Sequence, residues 1–495
     1  MLSFSPSCSA SSLPPSIWYV GSLAGKSIGF SRQIDNILTR SQTIVATAIP
    51  KITDEFGGLD KVSWYGSAFF MTNGGFQSSW GKAYKYFPLK VTFLLAIAVF
   101  EIGSLICALA PNSTVLIVGR AFNGLGASGL GTGAYTIIAF VAEPKKRPAF
   151  TGFVGISYGI AFVVGPLLGG VFAGKVSWRW CFYVNLPLGG ASAVVILLFF
   201  RTPDGAKPVR ASWKAKLLQM DPLGVIMVMG FLVAFIMALE FGGQSERWNS
   251  STLISLLVSC ATILTAFIFW EAFQSDRAML APRLLRHRPI GVSSIYTYFF
   301  SGSYYLVIYF LPIYFQSIHN ASPIMSGVYI LPLIIAITLS MILSGIFIGS
   351  TGLATPAKVV GTAIAIMGAG FLYTFDLDTS TGKWIGFQVV GGIGWGLAFQ
   401  IPIIVSQSSV AAEDISSVTA IILCNTIEAS LVRSHPHKTY ACCSFYEHGR
   451  HLLYHSSAVR LRQQLDKQVT IYGPECRSRC CYRDWCNATP LGLPG

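Results

Sequence analysis

The chain has 495 residues, 53% hydrophobic and 11% charged, with 35 Lys and Arg against 21 Asp and Glu for a net charge of +14. A soluble globular chain carries about 25% charged residues, and mean hydropathy here is +0.58. These values exclude a soluble enzyme, a disordered chain and a collagen-like repeat. They leave an all-α polytopic membrane protein, long enough for about a dozen spans of roughly 20 residues each.

Residues 1–33 form an atypical N-terminal segment with no positive region ahead of an apolar one, so no secretory signal is expected. Residues 34–50 end in Gln42-Thr-Ile-Val-Ala-Thr-Ala-Ile-Pro50, the outer half of a first span, but the stretch before it carries Arg32, Asp35 and Arg40. Each such charge costs about 2.5–3.5 kcal/mol near a bilayer centre, so span 1 is expected to be defective. Apolar runs then place span 2 at 62–80, span 3 at 89–110, span 4 at 114–142, span 5 at 149–173 and span 6 at 181–200, closing an N-terminal bundle over 34–200. A polar linker, 201–220, precedes two extra spans within 221–273, at 222–242 and 251–273. A C-terminal bundle over 274–432 holds span 9 at 290–316, span 10 at 324–348, span 11 at 356–375, span 12 at 384–406 and a weaker run at 415–432. From 433 to 495 the character changes: five of the seven His and six of the eleven Cys lie in a tail with no run long enough to span. Its Cys476, Cys480, Cys481 and Cys486 do not have a zinc-ligand spacing, and no metal or other cofactor is expected. Cys107, Cys181, Cys260 and Cys424 fall in apolar runs and read as reduced packing residues.

Bases in alternate loops fix the orientation. Loops 81–90, 143–150, 201–220, 274–289 and 349–358 hold sixteen Lys and Arg, and the alternate set holds six. The richer set is expected in the cytoplasm, with linker 201–220 among it. The glycosylation sequons at Asn112, Asn249 and Asn320 then fall outside, in short loops. Bases confined to short loops are a topological signal, so nucleic acid is not an expected partner.

Span 4 carries Arg120-x-x-Asn123-Gly124-x-Gly126-Ala127, a cation inside an apolar helix beside small residues. Such a residue is costly unless paired or wetted, and is a functional candidate for that reason; a structural Arg held by carbonyls is the plainer reading. Span 5 carries Gly165-Pro166-Leu-Leu-Gly169-Gly170, and Ala161, Gly165, Gly169 and Ala173 recur every four residues as a flat seam. Pro166 lacks a backbone donor and is expected to bend the helix. The turn Gly81-Lys-Ala-Tyr-Lys85-Tyr-Phe-Pro-Leu-Lys90 is basic. Trp178-Arg179-Trp180 opens span 6 with aromatics suited to the membrane interface, and Pro187 is expected to break that helix.

These motifs, in this order, resemble the major facilitator superfamily, and within it the fourteen-span drug:proton antiporter branch of fungal toxin and multidrug efflux carriers. The resemblance covers about residues 41–430. It implies a major-facilitator fold of two six-span bundles with two extra spans between, truncated here at both ends, with access alternating about a central site. It assigns the span 5 Gly-Pro-x-x-Gly-Gly run to gating. Ser41 stands where the family usually has an Asp just before the Thr of its span 1 motif, and Lys85 replaces the Asp of the loop motif.

Glu101 in span 3 could carry a proton as access alternates, or be paired for structure. With Arg120 it is nominated for proton coupling. Glu240 and Glu271 lie near helix ends and are expected to be wet. Tyr298, Tyr305 and Tyr309 share one helical face of span 9. Gln388 and Gln400 add uncharged polar groups near Gly391, Gly392, Gly394 and Gly396. Such a lining suits a large, mostly apolar solute, and packing is the alternative. The expected function is proton-coupled export of hydrophobic small molecules by a monomer in the plasma membrane, with a vacuolar or vesicle membrane as the alternative. Its partners are the substrate, protons and lipid. Rival readings are uptake of siderophores or other solutes by the same fold, and a non-functional truncated carrier. An embedded enzyme would need clustered His, Asp or Glu, and the spans hold no His. ATP-driven transport would need a G-x-x-x-x-G-K-[ST] loop, and none is present.

Overall fold

Helices account for nearly every described residue, as hydrocarbon requires of a spanning backbone that must satisfy its own hydrogen bonds. The computed structural model describes residues 48–434 except 50, 58–60, 243–249, 275–276 and 377–378. The expectations for the N-terminal segment, nearly all of span 1, Asn249 and the tail beyond 434 lie outside the described residues.

A short helix α1 (51–56) leads to α2 (Val62–Tyr86), α3 (Leu89–Ala108), α4 (Ser113–Val141) and α5 (Arg147–Val171). Span 6 is α6 (Trp180–Tyr183) and α7 (Asn185–Phe199). After α8 (Trp213–Gln219) come the two extra spans, α9 (Pro222–Phe241) and α10 (Ser251–Gln274). The second bundle holds α11 (Pro282–Leu285), α12 (Arg288–Ser317), α13 (Pro323–Tyr329), α14 (Leu331–Thr351), α15 (Ala354–Tyr373), α16 (Thr381–Ala398), α17 (Ile401–Ser408) and α18 (Ile415–Ser434). Punctuation is local. Asn112 caps α4 by accepting from Val115 N–H at 2.9 Å. Pro occupies the first turn of α5, α9, α12, α13 and α14, where its missing donor costs nothing. Gly352, at φ 73°, ends α14 in the left-handed region.

Several expectations need correction. Span 2 does not stop at 80: α2 runs to Tyr86, so Lys82 and Lys85 sit on a helix, and the chain turns only at Phe87, before Pro88. Spans 10 and 12 each divide in two, before Pro332 and before Pro402. Span 6 divides at Val184, and Pro187 lies harmlessly in the first turn of α7. The helix α5 continues through Pro166 and ends in a π turn, Phe172–Val176. Linker 201–220 contains α8, whose Trp213, Leu217 and Leu218 are exposed beside Lys214 and Lys216, the pattern of a helix lying in the interface. Trp178 is 3% exposed and packs with Cys181 and Phe182, while Trp180 stays at the surface. The four span cysteines are buried and free.

Nine helices among the described residues are long and apolar enough to cross a membrane. The spans at α2, α5 and α18 are not among them. The helices α2 and α18 carry buried polar groups (Asn73, Gln77 and Lys82 on α2; Ser416, Thr419 and Thr426 on α18), because both face protein rather than lipid. One bundle is built on α2, α3, α4 and α7 around Phe69, Phe93 and Phe100, and the other on α12 and α14–α16 around Phe315, Trp384 and Trp395. They meet where α2 packs on α18 and α5 on α14. Counted within each six-span half, each pairing joins a second helix to a fifth, as expected for two parallel repeats.

Candidate transport site and gate

Small residues set the two contacts between bundles. On α5, a Cβ at Gly152 would lie 2.9 Å from the Met341 carbonyl, and one at Gly159 would collide with Thr338. On α14, Gly345 and Gly349 approach the carbonyls of Pro148 and Lys145. On the other side Gly81 of α2 meets Ser416 and Ala420, and Gly74 meets Ile427. Backbones this close can separate and re-form with little side-chain rearrangement.

Charge closes the basic end of the same seam. Lys85 Nζ lies 2.7 Å from Asp414 Oδ1, and Arg283 Nη2 lies 2.9 Å from Asp414 Oδ2. One carboxylate of the second bundle therefore holds a cation of the first bundle and one from α11. Deeper in, Gln407 of α17 donates to Thr419 Oγ1 at 2.8 Å and to the Tyr135 carbonyl of α4 at 3.5 Å, a second polar tie between the halves.

Arg120 is 2% exposed. Its Nε donates to the Tyr65 carbonyl of α2 at 2.9 Å, and its guanidinium lies 4.5 Å from the Phe69 ring. Nη1 is buried without a hydrogen-bond partner among the described residues. Gly124, one turn on, lets α4 press on the Phe69 carbonyl and Thr72. Glu101 is not its partner. It lies between α3 and α7 against Gly189, and both carboxylate oxygens are buried with no hydrogen bond among the described residues. A neighbouring polar run joins Asn185 Nδ2 to Ser104 Oγ at 3.3 Å and Ser104 Oγ to Asn123 Oδ1 at 3.2 Å.

Gly165 and Gly169 are buried on α5 and Gly170 half-buried; of Pro166 the backbone alone is described. Tyr298 and Tyr305 of α12 are half-buried and Tyr309 is 42% exposed. Tyr304, whose ring lies 5.2 Å from that of Tyr305, packs on Trp395 and Phe399 inside the bundle. Gln388 is fully buried and donates to the Tyr329 carbonyl at 3.0 Å, tying α16 to α13. The glycines near it seat α16 on its neighbours: Gly392 and Gly396 against α14, Gly394 against α15. Gln400 is different. It sits at the break between α16 and α17, 5% exposed, with Nε2 unpartnered among the described residues. Interrupted helices at membrane depth mark binding sites in secondary carriers.

The sequence missed three features. Glu271 is 7% exposed rather than wet, and accepts from the backbone N–H groups of Met279 and Leu280. Asp414 and Gln407 drew no notice because their partners lie far along the chain. At the opposite end Glu55 accepts from Trp178 Nε1 at 2.5 Å and Arg179 Nη1 at 2.8 Å, and Arg179 Nη2 reaches the Ala110 carbonyl at 2.8 Å. The hydrogen bonds from Trp178 and then Arg179 hold the Glu55 carboxyl below the usual carboxylate range.

Two helical bundles joined by small-residue seams and an ionic latch, with a cation buried inside the first bundle, define a secondary carrier. Residues 37–427 match the model of the Major Facilitator Superfamily, and the chain belongs to that family. It is 56% identical over 386 residues to the MFS-type transporter grgE of a Penicillium species, covering 78% of this chain and 68% of that one. It is 52% identical to the MFS-type transporter thnB of Trichoderma harzianum (77% and 65% covered) and 51% identical to the probable efflux pump gsfJ of Penicillium aethiopicum (78% and 69%). The chain thus spans about two thirds of the length of these relatives. Among solved structures the fold is similar to the proton:xylose symporter XylE at TM-score 0.61 and 12% identity, covering 87% of this chain and 91% of that one. It is also similar to the human organic anion transporter MFSD10 at TM-score 0.58 and 12% identity, covering 86% and 93%.

Proposed function

We propose that this protein exports hydrophobic small molecules across the plasma membrane in exchange for protons. The latch Lys85–Asp414–Arg283 carries the reading, because it spans the two bundles at the end where bases concentrate. With that end in the cytoplasm, the latch closes the cytoplasmic side and must open to admit a solute from within. Relatives named as efflux pumps support the direction. Gln400 at the helix break and the aromatic face of Tyr298, Tyr305 and Tyr309 supply a lining for an apolar solute. Gly165, Pro166, Gly169 and Gly170 continue the α5 helix whose other half forms the seam, and take the gating role. Arg120 and Glu101 take the proton-coupling role, Arg120 through its buried Nη1 and Glu101 as a carboxyl without a hydrogen bond among the described residues. They act at separate places: Arg120 turns to Tyr65 and Phe69 of α2, and Glu101 to Gly189 of α7.

The test is export from inside-out vesicles carrying the full chain. An imposed acid-inside gradient should drive uptake of a fluorescent apolar solute with no ionisable amine, which an acidic lumen cannot trap by itself; an uncoupler should abolish the uptake, and vesicles lacking the chain should show none. Uptake that ignores the gradient would overturn proton coupling. No uptake across a panel of apolar solutes would overturn the export reading.

A further inference from the structure

Two buried carboxylates at the basic end gather backbone and side-chain donors from separate parts of the chain. Asp221 is 2% exposed and adopts the left-handed conformation, φ 46° and ψ 63°, unusual for a residue with a side chain. Its Oδ1 accepts from Gly224 N–H at 3.0 Å, capping α9, and from Trp270 Nε1 of α10 at 2.9 Å. Its Oδ2 accepts from Met279 N–H at 3.1 Å. Glu271 takes Met279 N–H at 2.9 Å on Oε1 and Leu280 N–H at 2.8 Å on Oε2. Lys82 of α2, 5% exposed, lies beside both carboxylates and donates to the Arg277 carbonyl at 2.6 Å. Hydrogen bonds to an ionised acceptor are the strong ones, and so many on two side chains fix what they hold.

What they hold is the segment 279–285. It leads from the two extra spans into the second bundle, where Leu284 packs with Ile290, Val418 and Ile421. Four residues beyond Met279 lies Arg283, whose guanidinium completes the latch on Asp414. The hairpin α9–α10 is in turn seated on the first bundle. Val225, Val228 and Leu232 pack with Met71 of α2, and a Cβ at Gly75 would lie 2.5 Å from Met229 Sδ. Between this node and the latch lies a cavity of about 350 Å³ lined by Ser78, Lys82, Lys85, Met279, Arg283 and Asp414. The cavity leaves room for the segment to shift once released.

We propose that Asp221, Glu271 and Lys82 are positioning residues of the cytoplasmic gate. The two extra spans act as a bracket that keeps 279–285 in register, so that Arg283 meets Asp414 when the bundles close. The proposal rests on the reading of the α2–α18 contact as that gate. It gives the inserted hairpin a task that neither bundle performs alone.

The test reads closure rather than export, so a chain that moves no tested solute still answers it. A Ser78→Cys reporter in the full chain faces the cavity on α2 and is nearly inaccessible when the seam is shut (Ser78 is 2% exposed). Inside-out vesicles are treated with a membrane-impermeant maleimide, and modification at position 78 is followed by peptide mass spectrometry. Glu271→Gln keeps the shape but places an amide N–H₂ against a backbone donor. It should raise the labelling rate about tenfold, the scale of one lost charge-assisted hydrogen bond. Arg283→Gln should do much the same, and the double variant should label no faster than the faster single one, because both act through one contact. Glu240→Gln, at the far end of α9, should leave the rate unchanged. If Glu271→Gln does not give a monodisperse protein, Asp221→Asn replaces it, with about a threefold rise and the same lack of additivity. Unchanged labelling in a folded Glu271→Gln protein, or rates that multiply with Arg283→Gln, would overturn the proposal and leave the node as packing only.

Discussion

Removing Asp414 from the latch should move the carrier toward its cytoplasm-open form. Two unit charges 2.7 Å apart attract by roughly 6 kcal/mol at an effective dielectric of about 20. Desolvation of side chains only 15% and 12% exposed offsets much of that. Breaking a buried pair from one side costs about 3–5 kcal/mol, and an exposed pair less than about 1. The latch lies nearer the buried limit, so Asp414→Asn should weaken closure by about 2–3 kcal/mol, a shift of roughly 30- to 150-fold in the open-to-closed ratio. The assay is labelling of Ser78→Cys in inside-out vesicles, run as a cycle with Lys85→Gln, Asp414→Asn and the pair together. The two single variants should be coupled by about 1–3 kcal/mol. Single variants that change labelling less than about threefold, or that combine additively, would refute the assignment of Lys85 and Asp414 to a gate.

Three further outcomes are expected. Arg120→Ala should abolish export with expression within about twofold of the parent, and Arg120→Lys should not rescue it, because an ammonium lacks the planar fork that reaches the Tyr65 carbonyl while lying over Phe69; wild-type export by Arg120→Ala would rule out the role. Gly345→Ala should push α14 off the Pro148 carbonyl of α5, lower thermal stability by about 1–3 kcal/mol and speed Ser78→Cys labelling; a stable, tightly closed variant would show that the seam tolerates a methyl group. The Glu55 clamp should be pH-dependent: a depressed folded pKa means its contribution is full above the unfolded value and is lost as pH falls through the folded one. Trp178 fluorescence should therefore change on the acid side of the usual carboxylate range, and Glu55→Gln should remove that transition.

The sequence by itself determined the helical class, the number and order of most spans and the family resemblance. It could do so because hydrocarbon imposes local rules: a run of apolar residues, bases on one side and small residues where helices touch. Arg120 and the α5 glycines Gly165, Gly169 and Gly170 draw notice for the same reason, as residues out of keeping with their own helix, whereas the glycines that meet α14 are Gly152 and Gly159. Which polar groups meet was decided by tertiary structure. Lys85 and Asp414 are 329 residues apart, and neither is unusual in its own loop or helix end. Glu271 reads as a wet helix-end acid until Met279 and Leu280 turn back and present their amides to it. Gln388 reads as a cavity residue until the Tyr329 carbonyl takes its donor, whereas Gln400 keeps an unpartnered nitrogen at a helix break. A buried polar side chain depends on the partner that satisfies it, and such partners arrive from distant segments that local hydropathy does not register.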